Sequence, residues 1–172
     1  MVSIIISITI IFLLLFGIYK AIAKIDFKYF LSIAGDELQT DAFNHTNFLI
    51  LGTGGASKAI AHVLQKLGIP FLFVSRAKSN DQTISYQDLD KKQILEHELI
   101  INCSPLGTYP DVNVKPNLPY KFLTERHLLF DLIYNPEMTA FLKMGLEAGA
   151  IVKNGSSMLK HQADRAWEIW NS

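Results

Sequence analysis

The sequence is poor in cysteine and in charge. It has one cysteine among 172 residues, Cys103, which can neither form an internal disulfide nor build a thiolate metal site. Its 16 Lys and Arg balance 16 Asp and Glu, so the charge gives no reason to expect nucleic acid as a partner. The single cysteine suits a reducing compartment. Apolar residues make up 49%, which excludes extended disorder and suits one packed domain.

Charge is absent altogether from the N-terminal stretch 2–19, VSIIISITIIFLLLFGIY. As a helix it would rise about 27 Å, close to the hydrocarbon thickness of a bilayer. Lys20, Lys24 and Lys28 follow, and they favour a cytoplasmic position for the rest of the chain. Two interpretations stay open for residues 1–24. They are a membrane anchor, or an apolar segment that is buried or was joined to the domain by a truncated or shifted reading frame.

From residue 48 onwards the pattern alternates between strands and helices, after a connector at residues 25–47. Short apolar runs predict strands at 48–51, 71–74, 99–102, 128–131 and 150–152. Helical spacing of apolar residues predicts helices at 56–67, 137–148 and 157–170, and more weakly at 86–95. This alternation predicts a Rossmann-type, doubly wound and mainly parallel α/β sheet over residues 48–172, with its ligand at the carboxyl ends of the strands.

A glycine-rich turn follows the first predicted strand. The spacing G-x-G lets backbone N–H groups approach a pyrophosphate, and the helix behind it adds a positive dipole end. Ser57 stands where the common fingerprint has a third Gly or Ala, so a plain strand–helix turn is the alternative. The expected diphosphate-binding residues are Gly52, Thr53, Gly54, Gly55 and Ala56.

No acid follows the second predicted strand, where NAD-binding units carry an Asp or Glu for the ribose hydroxyls. Ser75, Arg76 and Lys78 stand there instead. Because a guanidinium binds a 2′-phosphate through charge-assisted bonds, this favours NADP over NAD as the cofactor. The alternative is that Arg76 is an ordinary surface residue.

Three polar segments follow later strands, at residues 102–107, 131–136 and 154–159. With the glycine turn they resemble the C-terminal, NADP-binding domain of the shikimate dehydrogenase family. The resemblance runs from about Phe48 to Trp170 and rests on the blocks GTGGASKA, VSR, INCSPLG with Tyr109-Pro110, DLIYNP, NGSSMLKHQ and AWEIW. It implies NADPH-dependent reduction of 3-dehydroshikimate to shikimate, in aromatic amino-acid biosynthesis.

The resemblance also implies individual roles. Ser104, Ile133 and Gly155 would border the nicotinamide end of the cofactor, and Tyr134 and Gln162 would reach the substrate. Tyr134 could instead be a packed tyrosine, and Gln162 a polar residue on an exposed helix edge.

The family's catalytic lysine and aspartate belong to a separate N-terminal domain, and no catalytic residue is predicted here. Its Asn-Thr-Asp run should fall between about Lys20 and Phe30, where the sequence has none. We therefore expect this chain alone to bind NADP(H) but to reduce 3-dehydroshikimate poorly. A non-catalytic, membrane-tethered NADP-binding module and a quinate dehydrogenase variant are the alternatives. No metal site is predicted, and the oligomeric state is left open.

Overall fold

A computed structural model describes residues 47–78 and 80–171, so the expected apolar helix and connector at residues 1–46 lie outside it. The strands are β1 (Phe48–Leu51), β2 (Phe71–Ser75), β3 (Thr83–Ser85), β4 (Leu99–Asn102), β5 (Leu128–Asp131) and β6 (Ile151–Lys153). The helices are α1 (Gly55–Lys66), α2 (Lys91–Glu96), α3 (Ala140–Glu147) and α4 (Ser156–Trp170), with a 3-10 turn at Tyr120–Phe122.

The strands form one six-stranded sheet in the order β3-β2-β1-β4-β5-β6, and every described pairing is parallel. The first strand, β1, lies in the middle of the sheet, and β2 and β3 are added on one side of it. The chain then crosses back and adds β4, β5 and β6 on the other side. This order confirms the predicted Rossmann-type fold. It also places the topological switch point between the carboxyl ends of β1 and β4, where such sheets bind ligands.

Both faces of the sheet are covered, as continuous apolar strands require. Leu49 and Leu51 of β1 pack into one core cluster with Phe141 of α3, while Phe48 and Ile50 pack into the opposite cluster with Leu64 of α1. Because alternate residues of each strand enter opposite cores, β1, β4 and β5 are buried throughout. This rigid centre carries the loops at the carboxyl edge.

The weaker predictions differ from the structure at the edge of the sheet. The helix predicted at residues 86–95 is shorter and starts later in the structure. It is preceded by β3, a three-residue strand that the apolar pattern did not indicate. Helix α2 begins only at Lys91, because Asp90 accepts hydrogen bonds from the N–H groups of Lys92 and Gln93 and so caps it there. Likewise α3 begins at Ala140 rather than at residue 137, because the Thr139 hydroxyl caps it.

Within residues 47–78 and 80–171, no helix combines the length and the apolar character that crossing a bilayer requires. The predicted span at residues 2–19 falls outside these ranges.

Candidate functional site

Hydrogen bonds continue past the strands and draw their carboxyl ends together. Gly52 N donates to Val74 O at 2.8 Å, Cys103 N donates to Leu51 O at 3.0 Å, and Leu132 N donates to Asn102 O at 3.1 Å. The residues after β1, β2, β4 and β5 therefore lie at one edge of the sheet, as predicted from the parallel topology.

The glycines of the turn after β1 serve different purposes. Gly52 has a φ of +106°, and a Cβ there would lie 3.3 Å from Ser57 Oγ, so the fold itself requires glycine. Gly54 and Gly55 have no positive φ, and a Cβ at either would meet nothing within 4 Å. The space beside them is open, and a diphosphate in close contact with the backbone would fill it.

Helix α1 begins at this turn without a side-chain cap. Its N-cap residue, Gly54, has no side chain, and the first turn contains no acidic residue. The N–H groups of this turn therefore have no anionic partner from their own helix, and they form a suitable site for a phosphate. Thr53 is exposed at the same turn, and Ala56 is half-buried behind it.

Ser57, which replaces the third glycine of the common fingerprint, is fully buried beneath the turn. Its Oγ has no well-directed hydrogen-bond partner among the described residues. Burial raises the pKa of the nearby Cys103 thiol to about 12, although the Ser57 hydroxyl opposes the shift. Cys103 is therefore protonated at neutral pH and is not poised as a nucleophile.

The end of β2 lies beside the glycine turn, because Val74 pairs with Leu51. Arg76 and Lys78 follow and are exposed, and Ser75 is half-buried with its hydroxyl bonded to the Ala77 carbonyl. The turn and these two cations thus share one side of the sheet edge.

Ser104, which follows β4, is held by the last residue of that strand. Both its backbone N and its Oγ donate to Asn102 Oδ1, at 3.0 and 2.6 Å. Asn102 is fully buried, and its Nδ2 donates to Asp131 Oδ1 at 3.0 Å. The loop after β4 is thereby tied to β5.

Asp131 ends β5 and accepts three hydrogen bonds although it is fully buried. The donors are Asn102 Nδ2, Ile133 N at 3.0 Å and Thr139 Oγ1 at 2.7 Å. Burial raises the pKa of this carboxyl, and the three hydrogen bonds oppose the rise.

Gly155 precedes α4 and lies directly against the loop after β5. Its N–H donates to Ile133 O at 3.1 Å, and a Cβ at this position would overlap the carbonyl oxygen of Leu132. Close backbone approach therefore explains this glycine, whose φ is an ordinary −79°. Tyr134, next to Ile133, is 52% exposed. Gln162 lies in the second turn of α4.

Three buried polar residues at this edge were not among the predicted site residues: Asn102, Asp131 and Thr139. The sequence contained one signal for two of them, since the runs LIIN and LLFD each end an apolar strand with a polar residue. Nothing local indicated that these side chains bond to each other across 29 residues of sequence.

The strand order, the glycine turn after β1 and the bare start of α1 define this chain as a Rossmann-type α/β protein of the dinucleotide-binding class. No family model matches the sequence. A curated relative from Desulforamulus reducens, named shikimate dehydrogenase (NADP(+)), is 32% identical over 139 residues, which cover 71% of this chain and 48% of the relative.

Solved structures agree with this relative. Shikimate dehydrogenase 1 from Peptoclostridium difficile superposes with a TM-score of 0.67 at 34% identity, covering 82% of this chain and 51% of its own. A shikimate dehydrogenase solved in complex with NADP+ gives a TM-score of 0.60 at 29% identity, over 73% of this chain and 48% of its own. The C-terminal region of the chain is thus homologous to shikimate dehydrogenases, and the chain spans about half the length of the curated relatives that it matches.

Proposed function

We propose that residues 48–172 are the NADP(H)-binding half of a shikimate dehydrogenase-type oxidoreductase, whose reaction reduces 3-dehydroshikimate to shikimate. The observation that carries the proposal is the open space beside Gly54 and Gly55. The backbone conformation does not require glycine at either position, whereas a closely bound diphosphate does.

The two ends of the cofactor would be held by different loops. The turn at residues 52–56 would hold the diphosphate, and Arg76 would bind the 2′-phosphate, with Ser75 and Lys78 beside it. Arg76 makes no ion pair among the described residues, so its guanidinium is available to a phosphate. Both the curated relatives and two of the solved neighbours carry NADP in their names, which supports the same cofactor here.

Ser104, Ile133 and Gly155 would border the nicotinamide, which supplies the hydride when the cofactor is bound. Their backbone and hydroxyl groups are fixed by the bonds described above, so they would orient the ring rather than move protons. Tyr134 and Gln162 are proposed to contact the substrate, and the half-exposed Tyr134 ring supports this for its position.

A charge reversal at Arg76 tests the proposed cofactor. Arg76→Glu should weaken NADPH binding by about a hundredfold, since it replaces charge-assisted bonds to the 2′-phosphate with repulsion. NADH, which lacks this phosphate, should lose little affinity. Isothermal titration with both cofactors measures the difference.

Lys66→Glu provides the matched control, because it makes the same change of charge at the exposed far end of α1. It should leave both affinities unchanged. Equal losses for NADPH and NADH in Arg76→Glu would contradict the assigned role, and a folded wild type that binds neither cofactor would refute the proposed function.

We also propose the division into residues 1–24, 25–47 and 48–172, with residues 2–19 as an anchor that holds the domain at a membrane. The uncharged run and the lysines after it support this. A non-catalytic, membrane-tethered NADP-binding module is the second candidate function, and it shares the cofactor site with the first.

A further inference from the structure

The buried carboxylate at the end of β5 has no place among the expected ligand contacts, yet three loops depend on it. We propose that Asp131, acting with Asn102, is a positioning residue for the nicotinamide end of the cofactor site. The inference rests on the proposed function, because it concerns the same site.

The first arm of the network leads to the loop after β4. Asn102 Oδ1 accepts both Ser104 hydrogen bonds, and Asn102 Nδ2 donates to Asp131 Oδ1 and, at 3.4 Å, to Leu106 O. The orientation of the Asn102 amide is thus determined by Asp131. The Ser104 hydroxyl takes its position from that amide in turn.

The second arm leads to the loops after β5 and β6. The same oxygen, Asp131 Oδ1, accepts the Ile133 N–H, and Ile133 O accepts the Gly155 N–H. One carboxylate oxygen therefore fixes Ser104 on one side and Ile133 with Gly155 on the other. These are the three residues proposed to border the nicotinamide.

The remaining oxygen secures the network to the scaffold. Asp131 Oδ2 accepts from the Thr139 hydroxyl, which also accepts from Leu142 N at the start of α3. Burying a carboxylate without a paired cation is costly, and an apolar residue would fill this place in the core at lower cost. The Asp131 carboxylate accepts hydrogen bonds from three donors on separate elements at once, which an apolar side chain cannot do.

The test compares the two halves of the cofactor on the full chain. 2′,5′-ADP carries the adenosine half alone, whereas NADPH adds the nicotinamide, whose fluorescence rises and shifts to shorter wavelength when the ring leaves water. Asp131→Ala should bind 2′,5′-ADP within about twofold of the wild type. At saturating NADPH, it should lose most of the fluorescence change.

Two further variants act on the same network. Asp131→Asn should keep most of the fluorescence change, because its amide oxygen can accept from Asn102 and Ile133 while its NH2 donates to Thr139 Oγ1. Asn102→Ala should behave like Asp131→Ala, since it releases Ser104, and it decides the matter if Asp131→Ala does not fold.

The control is His127→Ala, at the opposite edge of the sheet. His127 is 1% exposed, and its Nε2 donates to Ile94 O at 3.0 Å, so its loss also removes a buried hydrogen bond. It should lower stability and leave both ligand readouts unchanged. A loss of 2′,5′-ADP affinity equal to the loss of the nicotinamide signal, or no change in Asp131→Ala and Asn102→Ala, overturns the inference.

The proposed function can fail separately. A wild type that binds neither ligand refutes the cofactor and the positioning role together. A wild type that binds both ligands without any nicotinamide signal leaves the adenosine half of the proposed site intact and overturns only the role of Asp131.

Discussion

Gly54 and Gly55 are adjacent, and both have backbone dihedrals that any residue adopts. Since the backbone does not need glycine at either position, we attribute both glycines to a ligand that lies close to the turn. Gly52, two residues earlier, has a φ of +106° and is needed by the backbone itself. Stability and binding should therefore respond differently to alanine at these positions.

Gly55→Ala should raise the free energy of unfolding by up to about 1 kcal/mol, because alanine is favoured over glycine in a helix. NADPH affinity should fall by about tenfold or more, since the methyl group would occupy the space of the diphosphate. Urea unfolding and calorimetric titration measure the two effects. Gly52→Ala is the comparison and should lower both quantities; a Gly55→Ala variant with wild-type affinity would contradict the placement of the diphosphate.

At the residue scale, a feature could be predicted from the sequence when its residues are close together along the chain. The turn at the glycines and the position of Arg76 after β2 could be predicted, because each motif is local and directly follows an apolar strand. The bond between Asn102 and Asp131 could not, because it depends on β4 and β5 lying side by side in register. A polar residue at the end of a strand indicates a site edge, but its partner emerges only from the fold.

At the scale of elements, the central strands β1, β4 and β5 were predicted with their observed bounds, because their apolar runs are continuous. The edge strand β3 has only three residues, one of them apolar, and carries no such pattern. The starts of α2 and α3 were predicted too early, because the capping side chains of Asp90 and Thr139, and not the apolar periodicity, determine where these helices begin.

The end of α2 contains a buried histidine that makes stability depend on pH. His97 is 6% exposed, and its Nδ1 donates to Gln93 O at 2.7 Å. Burial lowers its pKa, against the opposing influence of the Gln93 carbonyl and of Glu96. As pH falls below about 6.5, the unfolded chain gains the proton first, so the folded state loses stability.

We therefore expect the wild type to lose more unfolding free energy than His97→Gln between pH 7.5 and pH 5.5. One titrating group limits the difference to about 1.4 kcal/mol per pH unit. Urea unfolding at several pH values measures it. His62→Gln, which makes the same exchange at an exposed position of α1, is the matched control. A His97→Gln slope equal to that of the wild type would show that the folded state protonates this ring freely.

At the scale of the whole molecule, the candidate site lies along one edge of the sheet, at the carboxyl ends of its strands. The chain spans about half the length of its curated relatives, and its carboxyl edge presents Tyr134 and Met138, both about half exposed, beside the proposed nicotinamide site. Cofactor binding can be tested on this chain directly.

The apolar run at residues 2–19 can be tested without truncation. Leu14→Arg places a charge inside this run, at a cost of up to about 3 kcal/mol for a membrane-spanning helix. If the run is an anchor, the full chain should float with lipid vesicles, and the variant should do so markedly less. Leu14→Ala is the control and should float like the wild type. A wild type that remains in the aqueous fraction would favour the buried or misjoined interpretation.

The pairing of Gly52 N with Val74 O has a consequence for how coenzyme preference could evolve. It sets the spacing between the glycine turn, which is proposed to bind the diphosphate common to nicotinamide dinucleotides, and the segment 75–78, which is proposed to meet the 2′-position where they differ. Substitutions in that segment alone could therefore switch the preference between phosphorylated and unphosphorylated coenzymes, while the glycine turn remained unchanged.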